Sequence, residues 1–124
     1  MKNILFGLFL CTLSLPALEW LSFEKGIELQ KDTKKIMMID VVRTDCHFCT
    51  DMEKKVFDDP QMAQWIKERF VPVKVNLDKE KIPFGIKTNF TPSFFFVNSN
   101  GDIVKKIPGS WNIEDFKSLT KGIK

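Results

Sequence analysis

The spacing of apolar residues changes along this chain, and each change marks an element. Ile36-Met37-Met38-Ile39-Asp40-Val41-Val42 is an almost continuous apolar run, the pattern of a central strand covered on both faces, with Asp40 its one exception. From Cys46 to about Phe57 the spacing becomes four, through Phe48, Met52 and Val56, which predicts a helix carrying Asp51, Glu53, Lys54 and Lys55 on its other faces. Asp59 then caps a new helix with Pro60 at its first position and Met62, Trp65, Ile66 and Phe70 as its buried stripe. Val71 to Leu77 reads as a second buried strand, and 78–89, which contains Pro83 and Gly85, as a connection with a short helix at most. Ser93 to Val97 and Asp102 to Ile107 flank the turn Asn98-Ser99-Asn100-Gly101 and predict a hairpin. Asn112 caps a last helix with Asp115 in capping-box spacing and Ile113, Phe116, Leu119 and Thr120 facing inward. Before the first strand, Glu19 to Lys35 reads as helical, with Ser22 an N-cap, Phe23, Ile27 and Gln30 on one face, and Gly26 a weak point.

Residues 1–17 have the pattern of a secretory signal peptide: Lys2, an apolar stretch from Ile4 to Leu15, then Pro16-Ala17 before the first acid, Glu19. This places the mature protein, 18–124, in the periplasm or otherwise outside the cytoplasm. Leu15 occupies the position where cleavage prefers a small residue, so an uncleaved N-terminal membrane anchor is the alternative. Lipid attachment at Cys11 is disfavoured by the bulky Leu10 before it. The remaining 107 residues suit one domain, and a chain that is 44% hydrophobic with twelve Phe can fill its core. A monomer is expected. The formal charge of +3 arises from scattered lysine pairs such as Lys34-Lys35 and Lys105-Lys106, with no basic stripe, which argues against a nucleic-acid partner.

Without the leader, Cys46 and Cys49 are the only cysteines. A disulfide between them closes almost no chain and so constrains little of the unfolded state, which makes reactivity a better account of the pair than reinforcement. A strand leading into a helix whose first turn carries both sulfurs aims N–H groups at Cys46 and favours its thiolate. Cys46 is therefore the attacking thiol and Cys49 the resolving one. A structural zinc site lacks ligands, with one His in the chain, and c-type haem attachment needs His where Thr50 stands. No bound cofactor and no metal are required. His47 is either a donor to the thiolate or a solvated residue of the first turn, and Asp40 either a buried proton acceptor for Cys49, coupled to Lys74, or a carboxyl satisfied by hydrogen bonds. Phe48, Phe84 and Phe90 are candidates for an apolar docking surface, while Phe94 to Phe96 and the three Trp are assigned to the core.

The order strand, Cys-x-x-Cys helix, strand, Thr-Pro, hairpin, helix resembles the thioredoxin superfamily from about Ile36 to Lys124. Asp40 six positions before Cys46, Lys74-Val75-Asn76-Leu77-Asp78, Phe84-Gly85-Ile86-Lys87 and Thr91-Pro92 each resemble a thioredoxin segment in the same order. Trp20 and the stretch Met52 to Pro60 resemble secreted members related to the C-terminal domain of DsbD. The resemblance implies an α/β fold of three layers, a central mixed sheet flanked by helices. It implies a periplasmic thiol-disulfide oxidoreductase that exchanges disulfides with protein thiols, supplied by a membrane electron donor of the DsbD type. It also implies a cis Pro92 that sets Thr91 beside Cys46 to pair with substrate; His47 and Phe48, between the two cysteines, are the further candidates for substrate contact. The DsbD-like pattern favours a reductive role; an oxidase or isomerase is the alternative within the same chemistry. Two departures bear on direction: Asp45 puts an anion beside Cys46, and His47-Phe48 matches neither the thioredoxin nor the DsbA pair. Outside that chemistry, the rivals are a chaperone-like binding module with a passive disulfide and a carrier of a soft metal.

Overall fold

In the computed structural model, which describes residues 7, 10–13 and 16–124, ten residues of the expected leader (1–6, 8, 9, 14 and 15) lie outside the described set. Among the described residues no helix is long and apolar enough to cross a membrane. The elements run α1 (Phe23–Thr33), β1 (Ile36–Val42), α2 (His47–Met52) continuing as a π-helical segment (Glu53–Phe57), α3 (Pro60–Arg69), β2 (Phe70–Asn76), a 3-10 turn (Pro83–Gly85), β3 (Ser93–Val97), β4 (Ile103–Pro108) and α4 (Ile113–Thr120).

The expected sheet forms, in the order β2-β1-β3-β4, with β1 parallel to β2 and antiparallel to β3, and β4 antiparallel to β3 at the edge. Two apolar layers result from the alternation of side chains along the strands. On one face Met38, Phe70, Phe94 and Phe96 pack against Met52, Val56, Phe57, Met62, Ile66 and Phe116 from α2, the π segment, α3 and α4. On the other, Met37, Ile39, Val71, Val73 and Phe95 pack against Phe23 and Ile27 of α1 and against the connection that follows β2. Helices thus cover both faces of a mixed sheet, the three-layer fold the sequence predicts.

The differences are local. The first helix begins at Phe23 rather than Glu19, with Ser22 as its N-cap. The residues before it are extended, and Leu21 bridges the β2 edge by donating its N–H to Pro72 O (3.0 Å) and accepting that of Lys74 (3.2 Å). The caps at Asp59 and Asn112 are those expected, their side chains accepting N–H bonds from Met62 and Asp115 at 2.8 Å. Phe94 to Phe96 are core, but Trp20, Trp65 and Trp111 are only partly buried at its margin. Phe84 turns away from the thiols and packs edge-on against Phe23, ring centroids 5.3 Å apart, so it is not part of their surface.

Candidate active site

The turn between β1 and α2 builds the site. Asp45 adopts a left-handed conformation, φ 56°, that ends β1 and sends the chain into the helix; Asp tolerates this region better than most residues. Thr44 N–H donates to Asp78 Oδ2 at 3.0 Å, tying the turn to the end of β2. Cys46 is the N-cap of α2: its Sγ accepts the Cys49 N–H at 3.1 Å and its carbonyl accepts that of Thr50 at 3.1 Å. The two cysteines are joined as a disulfide across this first turn, Cα atoms 5.2 Å apart. An N–H aimed at Cys46 Sγ is the arrangement that stabilises a thiolate once the bond is reduced.

Asp40 lies in β1, opposite Lys74 on one side and Phe94 on the other. It is buried, and its Oδ1 has no hydrogen-bond partner. Burial pushes its pKa up to about 7, opposed by the positive charge of Lys74 and reinforced by the negative charge of Glu53. Lys74 pairs with Glu53 instead of Asp40: its Nζ is 2.8 Å from Glu53 Oε2, while Trp20 Nε1–H donates to Glu53 Oε1 at 3.1 Å. Lys74 Nζ also lies 4.6 Å from the centroid of the Trp20 ring. Sequence reasoning missed Glu53, which it set among the solvated charges. The available signal was its position one turn beyond Cys49.

Thr91-Pro92 is a cis peptide, and Thr91 Oγ1–H points at Cys46 Sγ from 3.4 Å. Side chains pin the loop before it: Ser93 Oγ donates to Phe90 O at 2.6 Å, and Arg43 Nη2 donates to Asn89 O at 2.6 Å. Arg43, at the exit of β1, is a second residue the sequence did not single out. Phe48, between the two cysteines, and Phe90, next to Thr91 in the chain, are 60% and 58% exposed, unusual for Phe. His47 turns outward, its side chain 80% exposed, with Nε2 3.4 Å from Asp51 Oδ2. The structure therefore brings Cys46, Cys49 and Thr91-Pro92 together, places Asp40 within reach of the Lys74 and Glu53 charges, leaves Phe48 exposed between the cysteines and directs His47 to solvent.

A family model described as a thioredoxin-like domain matches residues 23–124. The chain belongs to that family. Among solved structures, this thioredoxin-like chain is similar to DsbH oxidoreductase, with 15% identity, 90% of each chain covered and a TM-score of 0.70. It is similar to a thioredoxin from Thermus thermophilus, with 25% identity, 85% of this chain and 86% of that one covered, and a TM-score of 0.66. It also resembles the C-terminal domain of Neisseria meningitidis DsbD in its oxidised form, with 19% identity over 82% of this chain and 91% of that one and a TM-score of 0.62. A curated relative, an uncharacterised protein of Archaeoglobus fulgidus, is 25% identical over 75 residues, 60% of this chain. The match spans 58% of that relative's length. These likenesses agree with the thioredoxin fold expected from the sequence.

Proposed function

We propose that this protein is a thiol-disulfide oxidoreductase that reduces disulfides of other proteins outside the cytoplasm. One observation carries the reading: Cys46 and Cys49 span the first turn of α2, with the Cys49 N–H directed at Cys46 Sγ and Thr91 alongside. In the reduced protein the Cys46 thiolate attacks one sulfur of a substrate disulfide. That S–S bond breaks, the other substrate sulfur leaves as a thiolate, and a mixed disulfide forms. Cys49 then gives its proton to Asp40 and attacks Cys46 Sγ, freeing the second substrate sulfur and leaving the Cys46–Cys49 disulfide. Two electrons pass to the substrate, and a dithiol donor, such as a membrane protein of the DsbD type, must return them. Residues 1–17 act as the export signal in this reading, and 18–124 as the working domain. The likeness to the C-terminal domain of DsbD supports the reductive direction.

Cys49→Ser blocks release, so the variant should accumulate mixed disulfides with exported proteins that are visible on non-reducing gels and vanish when Cys46 is also replaced. Their absence would overturn the enzymatic reading in favour of a passive binding module. Equilibration with glutathione tests direction separately: a potential near the thioredoxin end of roughly −270 to −120 mV is expected, and one near the oxidising end would exclude the reductive role.

A further inference from the structure

We infer that the groove beside Phe90 selects partners that carry acidic residues close to the reacting cysteine. The inference rests on Cys46 being the attacking thiol and adds a substrate class to it. The groove is lined by Ile82, Ile86 and Phe90 together with Lys81, Lys87 and Lys106, and no acidic residue lines it. All three lysines are exposed, and among the described residues none has a carboxylate within ion-pair distance. Lys106 Nζ lies 5.5 Å from the centroid of the Phe95 ring, which holds its stem against the sheet.

The groove adjoins the redox site through the chain itself. Phe90 directly precedes Thr91, whose hydroxyl is 3.4 Å from Cys46 Sγ. An extended partner segment advances about 3.3 Å per residue, so one that runs from Cys46 past Thr91 and Phe90 carries the side chains near its reacting sulfur towards the lysines. On the surface lined by the two cysteines the charges cancel: Arg43, Lys54 and Lys74 against Asp45, Glu53 and Asp58. Of these two surfaces only the one beside Phe90 is lined by a net charge, which is positive, and complementary charge chiefly raises the rate of productive encounter. The occupant that fits is an extended protein segment with Asp or Glu near its cysteine and an apolar residue to cover Phe90.

The test uses the full chain, reduced with dithiothreitol and then freed of it. Two short peptides, each with one cysteine held as a mixed disulfide with 2-mercaptoethanol, differ only in carrying Glu or Lys near that cysteine. Rates are read by acid quench and mass spectrometry. At low salt the Glu peptide should react about tenfold faster, and about 0.5 M NaCl should erase the difference. The triple variant Lys81→Glu/Lys87→Glu/Lys106→Glu should reverse the ratio. If that variant does not fold, the salt dependence of the parent and the corresponding Lys→Gln variants, whose ratio should approach one, give the answer. Equal rates for the two peptides, or a salt-insensitive ratio, overturn the inference. Equal rates accompanied by dimerisation or by binding to phosphatidylglycerol vesicles would instead assign the groove to a second copy or to a lipid surface. A parent protein that reacts with neither peptide nor with the small neutral 2-hydroxyethyl disulfide would overturn the redox reading itself, and this inference with it.

Discussion

Asp40 combines two demands that oppose each other, a carboxyl group able to take a proton and a position in the middle of a sheet where charge is costly. Its pKa of about 7 follows from that conflict, against an ordinary value of 3.8. Between those two values the folded protein holds the proton while the unfolded chain has released it, so stability falls as pH rises from about 4 to about 7 and is level above. Asp40→Asn removes the ionisation. Urea unfolding should find the variant more stable than the parent at pH 8, by up to about 4 kcal/mol, with the gap closing near pH 4. A gap that does not change with pH would mean that Asp40 titrates alike in both states. Glu53 belongs to the same balance: it raises the Asp40 pKa while neutralising the Lys74 charge that lowers it.

Among the elements, α1 and the α2–π segment each contain a position where local preference and tertiary contact disagree. Gly26 lowers the helix propensity of α1, and replacing it with Ala in isolation would favour the helix by about 1 kcal/mol. In the fold a Cβ at Gly26 would collide with Val73 Cγ2 and lie 3.4 Å from Met37 Cε. Val is stiff and both neighbours are core, so overpacking of about 1–3 kcal/mol outweighs the propensity gain. Gly26→Ala should therefore lower the urea midpoint, and an unchanged or higher midpoint would show that α1 can move off β2. After Met52 the hydrogen bond from Asp58 N–H to Glu53 O, 2.8 Å, closes the wider π turn. This turn admits one extra residue relative to α spacing, and Glu53, where it begins, meets both Lys74 and Trp20.

For the molecule as a whole, Phe57 joins parts of the chain that are far apart in sequence. It meets Trp20 at 4.9 Å, Phe94 at 5.8 Å and Phe116 at 5.8 Å, all edge-on, and is fully buried. It thus links the segment before α1, the central sheet and the final helix in one apolar layer. Phe57→Ala should cost about 3–5 kcal/mol. Because the loss is shared by every layer element, tryptophan fluorescence and far-ultraviolet circular dichroism should still report one coincident transition. Separate transitions would mean that α4 or the N-terminal segment unfolds independently.

Much of this architecture is written in short stretches of sequence. The run Ile36 to Val42, the caps at Ser22, Asp59 and Asn112, the hairpin turn and the Cys-x-x-Cys at a strand-to-helix junction are legible because burial periodicity, capping and turn chemistry act over a few residues. Asp40, Cys46 and Cys49 could be singled out for the same reason, and Thr91 and Pro92 through family resemblance alone. Glu53 and Arg43 could not, since their roles depend on partners distant in the chain: Trp20, 33 positions from Glu53, Lys74, 21 positions away, and Asn89, 46 from Arg43. Local periodicity sets which residues can be buried or can cap a helix; which charges then meet is decided when strand register and helix docking bring separate segments within hydrogen-bonding reach.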